Sequence, residues 1–299
     1  MEYSVTEIKV PVPWGHIAVK TWGNPDDPPI FCFHGILDNA GAFDRLIALL
    51  PKTFYYIAVD LPGHGRSSHF PAHLPVYTTN YILAYKALKE YFKLEKFTIM
   101  GHSYGGQIGF MYSQMYPQHV ERLVLLDAII PITVPTSWFI DHLKDKLEMH
   151  CEIESKLASR QPPTYTYAEA LNRVQFSRNW GTICEDAAKC LLNRAIEPVG
   201  GSDGKFRFTI DQRLKNIINP TVDLRYVVEA YKTSPVCCPT LIILSKQSVL
   251  NKNFGRLTKS FGKNVVFKLV DGNHDVHNDK PELVAPLVEK FLLCKRHKL

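Results

Sequence analysis

The sequence predicts an α/β fold: a mostly parallel, doubly wound sheet that carries a helical insertion. Three observations lead there. Short apolar runs of strand length alternate with helical patterns as far as Asp127. An apolar run at 97–100 passes directly into Gly101-His102-Ser103-Tyr104-Gly105 and then into a helical pattern. Between 131 and 234 the alternation stops, and strand runs resume only at 239.

Taken in order, residues 7–13 and 16–23 read as two strands about a Pro13-Trp14-Gly15 turn, an opening antiparallel hairpin. A polar loop follows, and then Ile30, Phe31, Cys32 and Phe33 form a buried strand ending in His34-Gly35-Ile36-Leu37-Asp38-Asn39. The spacing of Phe43, Leu46, Ile47 and Leu50 predicts a helix over 42–50. A strand at 54–59 ends in a glycine-containing loop, Asp60-Leu61-Pro62-Gly63-His64-Gly65. Tyr81, Tyr85, Leu88 and Phe92 then mark the packed face of a long helix ending near 94. Beyond the serine and its helix, 122–127 is another buried strand.

In the insertion, helices are predicted over 138–157, 167–176, 185–195 and 223–231, with a polar loop at 199–205 and no strand run. Strands at 239–244 and 265–270, a helix near 252–261 and a final helix from Pro281 complete the chain. The domain reading is a core from 1–130 and 235–299, with 131–234 as a helical cap. At 299 residues, 45% apolar and 21% charged, the chain has room for one large core with such a cap.

Composition removes several functional classes. The net charge of +6 comes without basic blocks before the last residues, and no nucleic-acid motif accompanies it. No run reaches the roughly 18 apolar residues of a membrane span, and residues 1–7 carry acids without an apolar stretch, so neither a span nor a secretory signal is expected. The seven cysteines are scattered without metal spacing, which points to reduced thiols in an intracellular compartment, with no metal and no cofactor.

The chemistry centres on Ser103. Strand, Gly-x-Ser-x-Gly and helix in immediate succession make a strained turn that lifts the hydroxyl off the sheet and aims the first helical N–H groups at the same point. The backbone N–H groups of Ile36 and Tyr104 can together form an oxyanion hole. A serine hydroxyl needs a base, and His274 stands in a Gly272-Asn273-His274 turn directly after the last strand; His277 is a rival three residues on. His34, Asp60 and His64 are read as groups that brace loops rather than react.

His34-Gly35, the Asp60 loop, Gly101-His102-Ser103-Tyr104-Gly105-Gly106 and Gly272-Asn273-His274 together resemble the motifs of the α/β-hydrolase superfamily over nearly the whole chain. More narrowly, Val12-Pro13-Trp14-Gly15-His16, His34 to Asn39, and Phe43-Asp44-Arg45-Leu46-Ile47 resemble the serine hydrolase-like protein family, which includes the insect Kraken type. That resemblance implies an α/β-hydrolase fold and a serine hydrolase and leaves the natural substrate open; a carboxylic ester is the substrate expected, with a thioester as the alternative. Many relatives place the triad acid after the strand at 239–244, where this chain has Ser248. The other station known in the superfamily is the end of the strand before the insertion, occupied here by Asp127. The resemblance thus implies Ser103, His274 and Asp127 as a triad. Trp138, Phe139, Phe176 and Trp180 suggest an apolar pocket for a small apolar ester. The rival reading is a hydrolase-fold receptor that binds a small molecule with little turnover. The terminal His297-Lys298-Leu299 resembles the peroxisomal signal Ser-Lys-Leu, which leaves peroxisome and cytoplasm open and would make an import receptor a partner.

Overall fold

Alternation along the strands builds two cores, one on each face of a single sheet. A computed structural model describes residues 4–73, 75–128, 133–159, 161–201, 204–218, 223–248 and 261–294. Eight strands lie in the order β1-β2-β4-β3-β5-β6-β9-β10. They are β1 (Val5–Val12), β2 (Gly15–Trp22), β3 (Pro29–Phe33), β4 (Tyr55–Val59), β5 (Phe97–His102), β6 (Val120–Leu126), β9 (Thr240–Ser245) and β10 (Val265–Val270). β1, β2 and β4 are joined antiparallel, and every other pairing is parallel. Phe31, Phe33, Ile57, Val59 and Ile99 pack on one face with Tyr81, Tyr85 and Leu88 of α2 (Asn80–Tyr91) and Ile108 of α3 (Ser103–Met115). Ile30, Cys32, Tyr56, Ala58 and Met100 point the other way, toward Leu46 and Ile47 of α1 (Asp44–Ile47) and Val284, Val288 and Phe291 of the C-terminal helix. The period-two pleat places successive side chains on opposite faces, so a continuous apolar run marks a strand covered on both sides.

The chain leaves the sheet after β6 and returns at β9, the parallel neighbour of β6. In between come α4 (Phe139–Ser159), α5 (Tyr167–Phe176), α6 (Glu185–Ala195) and α7 (Leu224–Thr233). A small antiparallel ribbon of β7 (Ile196–Pro198) and β8 (Phe206–Phe208) also forms there, although the sequence predicts no strand in this stretch. Three residues per strand are too few for a hydropathy period to register. The α6 helix seats Ala187, Ala188 and Leu191 in the same core as α1, and a Cβ on Gly41 would stand 2.2 Å from the Cys190 carbonyl oxygen. Tyr231 of α7 stacks on Phe110 of α3.

The helix expected over 42–50 is shorter: a 3-10 turn at Ala40–Phe43 leads into α1. Near the C-terminus α8 (Val276–Asp279) precedes α9 (Pro281–Leu293). The helix expected near 252–261 falls, all but its last residue, outside the described residues, as does His297-Lys298-Leu299. Among the described residues no helix is long and apolar enough to cross a membrane.

Candidate active site

The C-terminal ends of β3, β5, β6 and β10 converge, the usual ligand position in an open α/β sheet. β5 lies between β3 and β6, so the turn after it is central. Ser103 opens α3 with φ +47°, a left-handed conformation that is strained for a residue with a Cβ. Two glycines allow the turn. A Cβ on Gly101 would stand 2.5 Å from Gly106 Cα, and one on Gly105 would stand 2.4 Å from the Phe33 carbonyl oxygen. Both obstacles are backbone and cannot rotate away. Gly105→Ala is expected to lose about 3 kcal/mol of stability, as overpacked cores do, read as an earlier denaturant midpoint; an unchanged midpoint would contradict this packing.

Three sequence-predicted residues meet here. His274 Nε2 lies 2.8 Å from Ser103 Oγ, and His274 Nδ1 lies 2.5 Å from Asp127 Oδ2. All three side chains are buried, Asp127 almost fully. Asp127 sits just beyond β6 with φ +43°, and its N–H donates to the Ile243 carbonyl at 2.7 Å. Its Oδ1 accepts the Ser245 N–H at 2.8 Å and the Ser245 hydroxyl at 3.2 Å. The end of β9 thus supplies donors to Asp127. Ser248, where many relatives carry an acid, is buried and donates its N–H to the Ser245 carbonyl at 3.2 Å.

His277 does not approach the serine. It is fully buried, stacked on His102 at 4.0 Å between ring centroids, and burial holds it well below the ordinary histidine pKa. His102, inside the Gly-x-Ser-x-Gly motif itself, donates Nε2–H to the His274 carbonyl at 3.0 Å and so ties the serine turn to the histidine loop. Burial lowers its pKa to about 4, keeping it neutral.

The loop after β3 runs against the same turn. The Gly105 N–H donates to the His34 carbonyl at 3.1 Å, and a Cβ on Gly35 would lie 3.2 Å from Ser103 Cβ. Ile36 follows Gly35, while Tyr104 follows Ser103 in the first turn of α3, where helical N–H groups lack intrahelical acceptors. His34 accepts the Leu61 N–H on Nε2 at 3.0 Å, which leaves its proton on Nδ1 to donate to the Gly35 carbonyl at 2.7 Å. His64 likewise accepts the Leu37 N–H on Nε2 at 3.2 Å and donates Nδ1–H to the Pro62 carbonyl. Asp60 accepts N–H groups of Ala40 and Arg66 and the guanidinium of Arg194. These three brace loops, as the sequence reading expected.

Of the four aromatic residues expected to form a pocket, Trp180 packs against a site residue, 5.7 Å from the His274 ring. Trp138 and Phe176 are more than half exposed. Asp38, His102 and Asp275 bring one potential metal-ligand atom each within 4.8 Å of one another. The Arg178 guanidinium binds both carboxylates there, so a cation already stands where a metal would. Motif reading missed this cluster. Asp38 lies within the His34 to Asn39 motif, but Arg178 carries no sequence signal.

A doubly wound sheet, a strained serine after its central strand and a histidine between that serine and an aspartate define the α/β-hydrolase class. Residues 28–149 match the α/β hydrolase fold family. The chain is 31% identical to human serine hydrolase-like protein 2 over 97% of this chain and 95% of that one. It is 32% identical to the serine hydrolase-like protein of Danio rerio, over 98% and 90%. A solved structure of a hypothetical protein from Pseudomonas aeruginosa superposes with a TM-score of 0.82 at 26% identity, covering 96% of this chain and 97% of that one. The chain belongs to the serine hydrolase-like family of α/β hydrolases.

Proposed function

We propose that this hydrolase cleaves a carboxylic ester through an acyl-enzyme on Ser103, with a thioester as the alternative acyl substrate. The observation that carries the reading is the single imidazole bridging Ser103 Oγ and Asp127. Asp127 accepts Nδ1–H and so leaves the Nε2 lone pair facing the serine, the tautomer a general base requires. Ser103 Oγ attacks the carbonyl carbon while its proton passes to His274 Nε2. The Asp127 carboxylate stabilises the imidazolium, and the N–H groups of Ile36 and Tyr104 stabilise the oxyanion. Collapse of the adduct expels the alcohol, which takes the proton from His274. Water, activated by the same histidine, then releases the acid and restores Ser103.

Trp180 beside His274 supports an apolar wall for the acyl or alcohol group, contributed by the cap segment. A fluorophosphonate probe should label the wild-type protein and fail to label Ser103→Ala, and short p-nitrophenyl esters should turn over with a burst of nitrophenol. Labelling that survives in Ser103→Ala would remove Ser103 as nucleophile. Saturable ligand binding with neither labelling nor turnover would make the chain a receptor on a hydrolase fold.

A further inference from the structure

We propose that Arg178, on the segment between α5 and α6, is a positioning residue that holds the oxyanion loop and the histidine loop in register with Ser103. The proposal rests on the serine-hydrolase reading above. Arg178 Nη1 donates to Asp38 Oδ1 at 2.9 Å and Nη2 to Asp38 Oδ2 at 3.1 Å. Nε donates to Asp275 Oδ2 at 3.0 Å and Nη2 to Asp275 Oδ1 at 2.5 Å. One planar group therefore spends four of its five N–H donors on two carboxylates. Both carboxylates are buried, with side chains 3% and 2% exposed.

The two carboxylates occupy consequential positions. Asp38 lies two residues after Ile36, and its N–H closes a turn onto the Gly35 carbonyl at 3.2 Å. Within that turn Leu37 is held at φ +67°, a conformation that relaxes unless its neighbours fix it. Asp275 directly follows His274, and its carbonyl accepts the Asn278 N–H at the start of α8. Arg178 thus fixes the chain on both sides of the reacting serine, the side that offers N–H donors and the side that offers the base.

Arg178 itself is anchored well enough to act this way. Close by, Asn273 Nδ2 donates to the Thr182 carbonyl at 2.7 Å, and Asn39 Nδ2 donates to the Leu191 carbonyl at 2.9 Å. At the far end of α6, Arg194 is buried against Asp60 and also bonds Glu7. The segment carrying Arg178 is mostly exposed, and it is held by these bonds and by Ile183, which is buried in the core beneath α6. A lysine at 178 would keep the positive charge, yet a single ammonium lacks the planar fork that engages two carboxylates at once.

A positioning role acts on the transition state, so it lowers kcat more than it raises KM. With p-nitrophenyl butyrate as the probe, Arg178→Lys is expected to lose about 10- to 100-fold in kcat, the scale of an ångström-sized misplacement, with KM within about twofold and a cooperative melt. Arg178→Ala removes the cation from two buried carboxylates and is destabilised; millimolar guanidinium should restore part of its kcat with saturation and leave the wild type unchanged. If Arg178→Lys does not fold, Asp38→Asn, which keeps Arg178 on Asp275, should show the same kcat-weighted loss. A folded Lys or Asn variant with wild-type kcat overturns the proposal, as does a loss confined to KM or one that only follows the folded fraction. The rate of fluorophosphonate labelling separates the two levels. A wild-type protein that does not label overturns the serine-hydrolase reading, and this proposal with it. A wild type that labels beside an Arg178→Lys that labels equally fast overturns the positioning role alone.

Discussion

Asp127→Asn is expected to melt close to the wild type and to lose about four orders of magnitude in ester turnover. The geometry gives the reason. Oδ1 of Asp127 takes the Ser245 N–H and hydroxyl, so an asparagine that keeps those bonds turns its NH2 toward His274 Nδ1. That amide donates, which forces the imidazole proton onto Nε2 and leaves no lone pair for Ser103. The backbone does not confound the comparison, because asparagine tolerates the left-handed conformation found at this position. Ser248→Ala should retain most activity, since Ser248 stands outside the serine–histidine–aspartate chain of hydrogen bonds. Steady-state turnover and thermal melts of both variants test this. A nearly full-rate Asp127→Asn with an inactive Ser248→Ala would transfer the acid's role to the loop after β9.

Acid should unfold the protein well above the pH at which its carboxylates protonate. Four buried histidines are held neutral: His34 with its pKa lowered to about 4, His64 to about 3, His102 to about 4, and His277 well below its ordinary value, all mainly through burial. In the unfolded chain each titrates near 6.5. Between about pH 6.5 and pH 4 the unfolded state therefore binds more protons than the folded one, and stability falls as pH falls through that window. Above 6.5 both states are neutral and these groups contribute no slope. For His34, His64 and His102 the lowering corresponds to on the order of 3 kcal/mol each once the pH reaches their folded values. Three such groups approach the whole stability of an ordinary domain, roughly 5–15 kcal/mol, and His277 acts in the same direction. For His34 and His64 the chemistry is explicit, because protonation would set a new N–H on Nε2 against the N–H of Leu61 or Leu37. Melting temperatures from pH 8 to 4.5 should be flat down to about 6.5 and then drop steeply. His64→Gln, whose amide oxygen can accept the Leu37 N–H without titrating, should make the drop shallower. A flat wild-type profile to pH 5 would contradict the neutral assignment.

Ser103 was legible because its requirements are local. A strand, two glycines that backbone atoms crowd, and a helix lie within a few neighbouring turns, and each has a compositional signature. The sheet was legible for the same reason, since strands covered on both faces must be apolar throughout. His274 and Asp127 were legible in a weaker way, through their positions after strands and, for Asp127, through the absence of a carboxylate in the β9 loop. The short ribbon of β7 and β8 was not legible, because three-residue strands carry no period.

Local sequence by itself determined the doubly wound sheet, the serine turn, and a short set of partners for it. Tertiary structure alone gave Ser245 to Asp127 and His102 to the His274 carbonyl. It also brought Arg178 to Asp275 and Asp38, which lie 97 and 140 residues away in sequence. Bonds of that span are fixed by the paths of loops across the sheet edge. A loop's path follows from the packing of the elements at both its ends, and no spacing within the loop itself encodes it.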